Sequence, residues 1–279
     1  MAVMIAGRRL SLAWLKPPVV PHDGRMSLYD HLRELRYRLI ASVVGIGLGM
    51  GACAFWFTQL YGLLLWPLRT AEANLAQSHP DLVLQATNEG VTTPFLIFMK
   101  VIGISGLLVT APWWLHQLWA FIVPGLLAQE RKWARIFVVT ATPLFLAGTV
   151  TGFLMMPAAI KVLIGFTPEG FEVVNLLTID GFLSFLIRVM LVFGVSYLVP
   201  LVMLLLNLLG VLSSQHMKKA RPFIILAAFI FSAVATPTTD PFSMLALALP
   251  LTVLLMVTEQ IARAVERRRA RADEAAAPG

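Results

Sequence analysis

Six apolar stretches, each long enough to cross or nearly cross a bilayer, constrain this chain more than any other feature. They run from Leu39 to Leu65, Thr93 to His116, Ile136 to Ile160, Gly181 to Leu209, Phe223 to Ala235 and Pro241 to Val257. A hydrocarbon core takes about 20 residues of helix to cross. The rest of the chain cannot offset them: of 279 residues 58% are hydrophobic and 13% charged, too little polar material to cover a water-soluble globule of that size. The 17 Pro and 19 Gly are spread through long apolar runs, where membrane helices tolerate them because neighbours satisfy the freed backbone groups. The reading is an all-α, polytopic membrane protein with six transmembrane helices. Fibrous and disordered classes are excluded.

The fifth and sixth stretches are short, and the turn Thr236 to Asp240 leaves them almost no loop, so they form a tight hairpin. A helix of about 13 residues rises only about 20 Å. Short fifth and sixth helices must therefore thin the bilayer or stop short of one face.

A net charge of +7 would suggest nucleic acid in a soluble chain, so the placement of the charges decides. Basic residues gather before the first stretch (Arg8, Arg9, Lys16, Arg25, Arg33, Arg36, Arg38) and between the second and third (Arg131, Lys132, Arg135). They recur between the fourth and fifth (Lys218, Lys219, Arg221) and after the sixth (Arg263, Arg267, Arg268, Arg269, Arg271). Of all 22, only Arg69, Lys100, Lys161 and Arg188 fall elsewhere. Under the positive-inside rule both termini are cytoplasmic, and no nucleic-acid role is expected.

Three segments follow: a cytoplasmic tail 1–30, a six-span domain 31–260, and a charged, Ala-rich tail 261–279 expected to be disordered. Arg8 and Arg9 mimic a leader, but Lys16, Pro17 and Pro18 interrupt the apolar run after them, so no cleavable signal peptide is read. Between Trp66 and Gly90 the sequence suggests a short interfacial helix and turns, and Lys161 to Asp180 is similar, with a turn at Thr167 to Gly170.

Catalytic signatures are missing: there is no Walker A, GxSxG or HExxH motif. The five histidines lie in different segments, and Cys53 is the single cysteine. No enzyme, metal or cofactor is expected. Carboxylates at the cytoplasmic edge are the informative residues. Leu32, Leu35 and Leu39 recur at helical spacing, so an amphipathic helix leads into the first span and sets Glu34 at the membrane surface. Glu34 can serve as a local partner for Arg38 at i+4 or as a ligand.

Glu130 follows an aromatic, apolar segment containing Trp119 and Phe121 and precedes two bases. One reading makes it a helix cap beside an aromatic belt. The other makes it the receptor of a ligand carrying arginine beside a hydrophobic stretch. Lys100 and Arg188 lie inside the outer ends of their spans, either snorkelling or lining a polar cavity. Asp240 before Pro241 has the pattern of an N-cap with proline at the first helical position.

HLRELRYRL (His31 to Leu39), WPL (Trp66 to Leu68), QLWAFIVPGL followed by QER (Gln117 to Arg131), FGVSYLVP (Phe193 to Pro200), KKARP (Lys218 to Pro222) and ATPTTDPFSMLALALP (Ala235 to Pro250) together resemble TatC. The resemblance runs from about His31 to Pro250. It implies the signal-peptide receptor of the twin-arginine translocase, which moves folded proteins across a bacterial-type cytoplasmic membrane on the proton-motive force. Its implied partners are twin-arginine signal peptides, the single-span proteins TatA and TatB, lipid, and further copies of the chain.

By resemblance, Glu34 and Glu130 are the acids associated with the twin arginines, and Phe121 is the aromatic beside them. A matching acid is implied at Asp240. Guanidinium matches a carboxylate bidentately where ammonium is a point charge, so such a site can prefer arginine over lysine. The chain departs from the pattern at Leu198, where many relatives carry a glutamate inside the fourth span. A small-molecule or ion transporter is the alternative; it would need a polar site at mid-membrane, and no internal repeat with matching interrupted spans is visible.

Overall fold

The computed structural model describes residues 2–5, 8–11, 28–78, 83–122, 131–166, 174–208, 210–235 and 241–276. Its elements in chain order are β1 (Ala2–Ile5), β2 (Arg8–Ser11), α1 (Leu28–Ala54), α2 (Phe57–Leu64), α3 (Trp66–Ser78), β3 (Val83–Thr87), α4 (Thr93–Val109) and α5 (Ala111–Ile122). There follow α6 (Arg131–Ile164), β4 (Val174–Thr178), α7 (Ile179–Ser196), α8 (Val199–Leu208), α9 (Ser214–Ala235) and α10 (Pro241–Ala276). The chain divides into two compact units, one of residues 1–60 and 101–142, the other of 61–100 and 143–279.

Within the first unit, β1 and β2 pair as an antiparallel hairpin, Val3 opposite Leu10. The main helical contact joins α1 to α5. Small residues let these helices approach: a Cβ on Gly45 would fall 2.5 Å from Trp113 Cδ1. Trp113 Nε1 fixes the register by donating to the Ala41 carbonyl at 2.9 Å. On α4, Gly106 meets the α1 backbone at Met50, where a Cβ would lie 2.6 Å from the amide nitrogen. Close approach through glycine is how helices associate where lipid removes the hydrophobic drive. At Thr110 the chain turns by 63° from α4 into α5; Thr110 Oγ1 bonds back to the Gly106 carbonyl at 2.7 Å, and Pro112 supplies no N–H to continue the ladder.

Within the second unit, α6 and α7 touch backbone to backbone, since a Cβ on Gly148 would lie 2.5 Å from the Phe193 carbonyl oxygen and 2.9 Å from Gly194 Cα. Phe145 and Phe193 are almost wholly buried. Trp66 at the start of α3 stacks on Phe153 at 5.7 Å. Strands β3 and β4 pair in parallel from Val83–Val174 to Thr87–Thr178. Helices α8 and α9 pack on α10, with Ala228, Leu251 and Leu255 forming a buried cluster flanked by Met203 and Ile224.

Among the described residues four segments are long and apolar enough to cross a membrane: Tyr29–Ala54, Val139–Ile164, Ile179–Leu208 and Pro241–Arg268. The bent pair α4 and α5, counted as one broken span, would make a fifth. The fourth stretch is interrupted at Tyr197 and Leu198, between α7 and α8, just ahead of Pro200.

Two expectations change. The fifth and sixth helices are not short: α9 has 22 residues and α10 has 36. Only their apolar portions are short, because Lys218, Lys219 and Arg221 are helical ahead of the fifth stretch. The tail expected to be disordered continues α10 to Ala276. Its physical reason is local: Glu259 pairs with Arg263 one turn on, and alanines at 262, 264, 270, 272, 275 and 276 favour helix. The turn Thr236 to Asp240 and the turn Thr167 to Gly170 lie outside the described residues.

Candidate functional site

Helix α1 is amphipathic in a sense suited to lipid. Leu32, Leu35 and Leu39, the stripe that spacing selects, are exposed, at 54%, 39% and 60%. Glu34 on the other face is buried, at 2%. In lipid an outward leucine loses nothing, whereas a carboxylate must find partners inside. His31, Glu34 and Arg38, spaced i, i+3 and i+7, therefore share the face that meets α5.

The two helices run antiparallel. His31 stacks on Phe121, with ring centroids 4.5 Å apart and planes 15° apart. Further along, Arg38 reaches Gln117 in a long 3.5 Å contact, and Ala41 receives Trp113. Glu34 is held from its own helix: Arg38 Nη2 lies 2.5 Å and Nε 2.8 Å from the same oxygen, Oε1. The other oxygen, Oε2, is buried and accepts no hydrogen bond among the described residues.

An unsatisfied buried acceptor is costly, about 1–3 kcal/mol and more when charged. The arrangement thus leaves one carboxylate oxygen without a donor among the described residues, one turn from a stacked aromatic pair. The i+4 pairing expected of Glu34 is present and uses only half of its acceptor capacity. Phe121 on α5 meets α1 at His31, one turn ahead of Glu34; Glu130 lies outside the described residues, directly before α6.

The remaining sequence candidates separate. Lys100 Nζ lies 2.5 Å from Asp180 Oδ1 and 2.7 Å from Ser184 Oγ, an ion pair joining α4 to the first turn of α7. Arg188, two turns further along α7, is exposed with no partner among the described residues. Asp240 lies outside the described residues.

Several polar groups escaped the sequence reading because their partners are distant in the chain. Asp180 is one. Glu259, buried on α10, receives Arg221 from α9 through Nε at 3.0 Å and Nη2 at 2.9 Å, and also Arg263. Glu266 accepts from Asn207 at 2.6 Å and from the Ser214 amide at 2.7 Å. Their only sequence signal is an acid on a helix beyond its apolar run. Among the described residues no group of three His, Cys, Asp or Glu could hold a metal.

Comparison with known proteins agrees with this architecture. The TatC family, described as Sec-independent protein translocase protein, matches residues 30–250. A Sec-independent protein translocase protein TatC of Corynebacterium kroppenstedtii is 35% identical over 95% of this chain and 67% of its own length. That of Xylanimonas cellulosilytica is 36% identical over 94% of this chain and 91% of its own. A crystal structure of the twin arginine translocase receptor TatC in DDM superimposes with a TM-score of 0.66 at 26% identity, covering 83% of this chain and 99% of that one. These are membrane translocase components rather than catalysts, and the small-molecule transporter alternative receives no support from them. The chain belongs to the TatC family of Sec-independent protein translocase proteins.

Proposed function

We propose that this chain is the receptor that binds twin-arginine signal peptides and nucleates the assembly that exports folded proteins on the proton-motive force. It sits in a bacterial-type cytoplasmic membrane, crosses it six times with α9 as the fifth crossing, and keeps both termini in the cytoplasm. TatA-type and TatB-type single-span proteins, lipid and further copies of the chain are its partners. Glu34, Phe121 and Glu130 form the recognition surface. Lys100 with Asp180 is a structural joint, Asp240 caps α10, and Arg188 snorkels to the outer interface.

The observation that carries the reading is the idle Oε2 of buried Glu34, one turn from the His31–Phe121 stack. A guanidinium donates through several N–H groups in a fixed fork. It satisfies that oxygen, while the apolar stretch beside the arginines packs against aromatic and leucine side chains. The test places a photoreactive side chain at Phe121 in native membranes. A twin-arginine signal peptide should crosslink there, and a twin-lysine version should crosslink several-fold less. Equal crosslinking of both would remove Phe121 from an arginine-reading surface.

A further inference from the structure

A cavity of about 260 Å³ opens between the first turns of α9 and the charged end of α10, lined by Ser214, Gln215, Lys218, Arg263, Glu266 and Arg267. A water occupies about 30 Å³ of liquid, so the space admits a phosphate group with its bridging waters. We propose that this cavity binds the phosphate of an anionic phospholipid headgroup.

The charges facing the cavity are three cations and one acid, which leaves an excess of positive charge, and the oxygens of the acid are held by neutral donors of the protein. Glu266 Oε1 takes the Ser214 amide and the Asn207 side chain, and its Oε2 takes the Ser214 hydroxyl. Arg263 is held in place through Glu259. Lys218 and Arg267 are exposed, with no ion-pair partner among the described residues. Two unpaired cations flank a third that is oriented, which is a binding arrangement for a doubly contacted anion.

Depth selects lipid over a solute. The apolar run of α10 ends at Val257, and Arg263 follows six residues later, about 9 Å along the helix. Lys218 precedes Phe223 by five residues, about 7.5 Å. The polar layer of a leaflet is roughly 5–8 Å thick, and side chains of this length reach back toward it. Lys218 and Arg263 therefore sit at the edge of the headgroup layer, where basic pockets between helices take anionic lipid, and Arg267, ten residues past Val257 and about 15 Å along the helix, closes the cavity on the side away from the membrane core.

The full-length protein, stripped of lipid in neutral detergent, is titrated with phosphatidylglycerol and phosphatidylcholine of the same chains, and retained lipid is counted by native mass spectrometry. Phosphatidylglycerol should be retained at least about ten-fold better, and Lys218→Gln with Arg267→Gln should reduce that preference to about two-fold or less. Arg69→Gln with Lys161→Gln removes the same charge from other helices and should leave the preference unchanged; circular dichroism checks that all variants remain helical. Equal retention of the two lipids, or a preference that survives the first pair of substitutions or falls equally with the second, would overturn the assignment. Inorganic phosphate is tested separately by calorimetry. Binding of phosphate as tight as that of phosphatidylglycerol would make the ligand a free anion instead; no binding below the millimolar range supports the lipid.

Discussion

One oxygen of Glu34 is bonded twice by Arg38 and the other is bonded by nothing described, so what the residue does depends on how it responds to losing its charge. If Oε2 receives an arginine of a signal peptide, Glu34→Gln should weaken a twin-arginine peptide by about 1.5–3 kcal/mol, the range for hydrogen bonds to charged groups. A purely local partner for Arg38 would lower stability without distinguishing peptides. The measurement is a double-mutant cycle between Glu34→Gln and a twin-lysine peptide. The arginine preference should shrink in the variant, and additive losses would return Glu34 to its helix. Leu198 poses the opposite question. It is a half-buried apolar residue in the break between α7 and α8, with no titratable atom. Leu198→Ala should leave export within about two-fold of the original at equal protein level, measured by cargo appearing outside the cytoplasm. Loss of export in a stable, assembled variant would give the position a role that apolar packing does not explain.

Spans are legible in a sequence because crossing lipid imposes a local requirement, a contiguous apolar run, and Val139–Ile164 and Ile179–Leu208 lie where hydropathy puts them, whereas the first span, Tyr29–Ala54, starts ahead of the expected Leu39 and ends at a break before α2, because polar residues extend α1 beyond the apolar run. Which face is buried is not legible in the same way. The leucine stripe at 32, 35 and 39 would mark a core face in water, yet here it points outward and Glu34 points in. The Arg38 pairing of Glu34 could be read from spacing, whereas Lys100 and Asp180 are 80 residues apart and nothing local announces their meeting. The parallel pairing of β3 with β4 is hidden for the same reason. Helix ends are not legible from hydropathy where polar residues extend a helix beyond its apolar run, as in α9 and α10.

Glycine packing at this scale is open to a direct test. A Cβ on Gly148 would strike the α7 backbone, but one on Gly47 meets nothing within 4 Å. Gly148→Ala should destabilise by about 1–3 kcal/mol, the range for overpacking. Gly47→Ala should be neutral or stabilise by up to about 1 kcal/mol through helix propensity. Thermal unfolding in detergent reads both, and equal effects would mean that the α6–α7 contact is not what constrains Gly148.

For the whole molecule, the parity of crossings turns on α9. Five crossings would put the termini on opposite sides, and six put them together. Helix α9 rises about 33 Å over its 22 residues, but only Phe223 to Ala235 is apolar, so a crossing by this helix requires Lys218, Lys219 and Arg221 to lie at the interface and the bilayer to thin locally. If it crosses, the basic residues of both tails and of the loops after the second and fourth spans all lie on one side, as the positive-inside rule requires. If it does not, Arg263 to Arg271 lie opposite Arg131 to Arg135, and the rule is broken by five arginines. Cysteine labelling decides between them, with little background because Cys53 is buried. In intact cells an impermeant maleimide should reach thiols added at Asn88 and Thr238. It should miss thiols at Ser27, Gln129 and Ala275. Labelling at Ala275 with none at Thr238 would mean that α9 stays on the cytoplasmic side, and the chain would have five crossings; labelling at Ser27 or Gln129 would invert the orientation altogether.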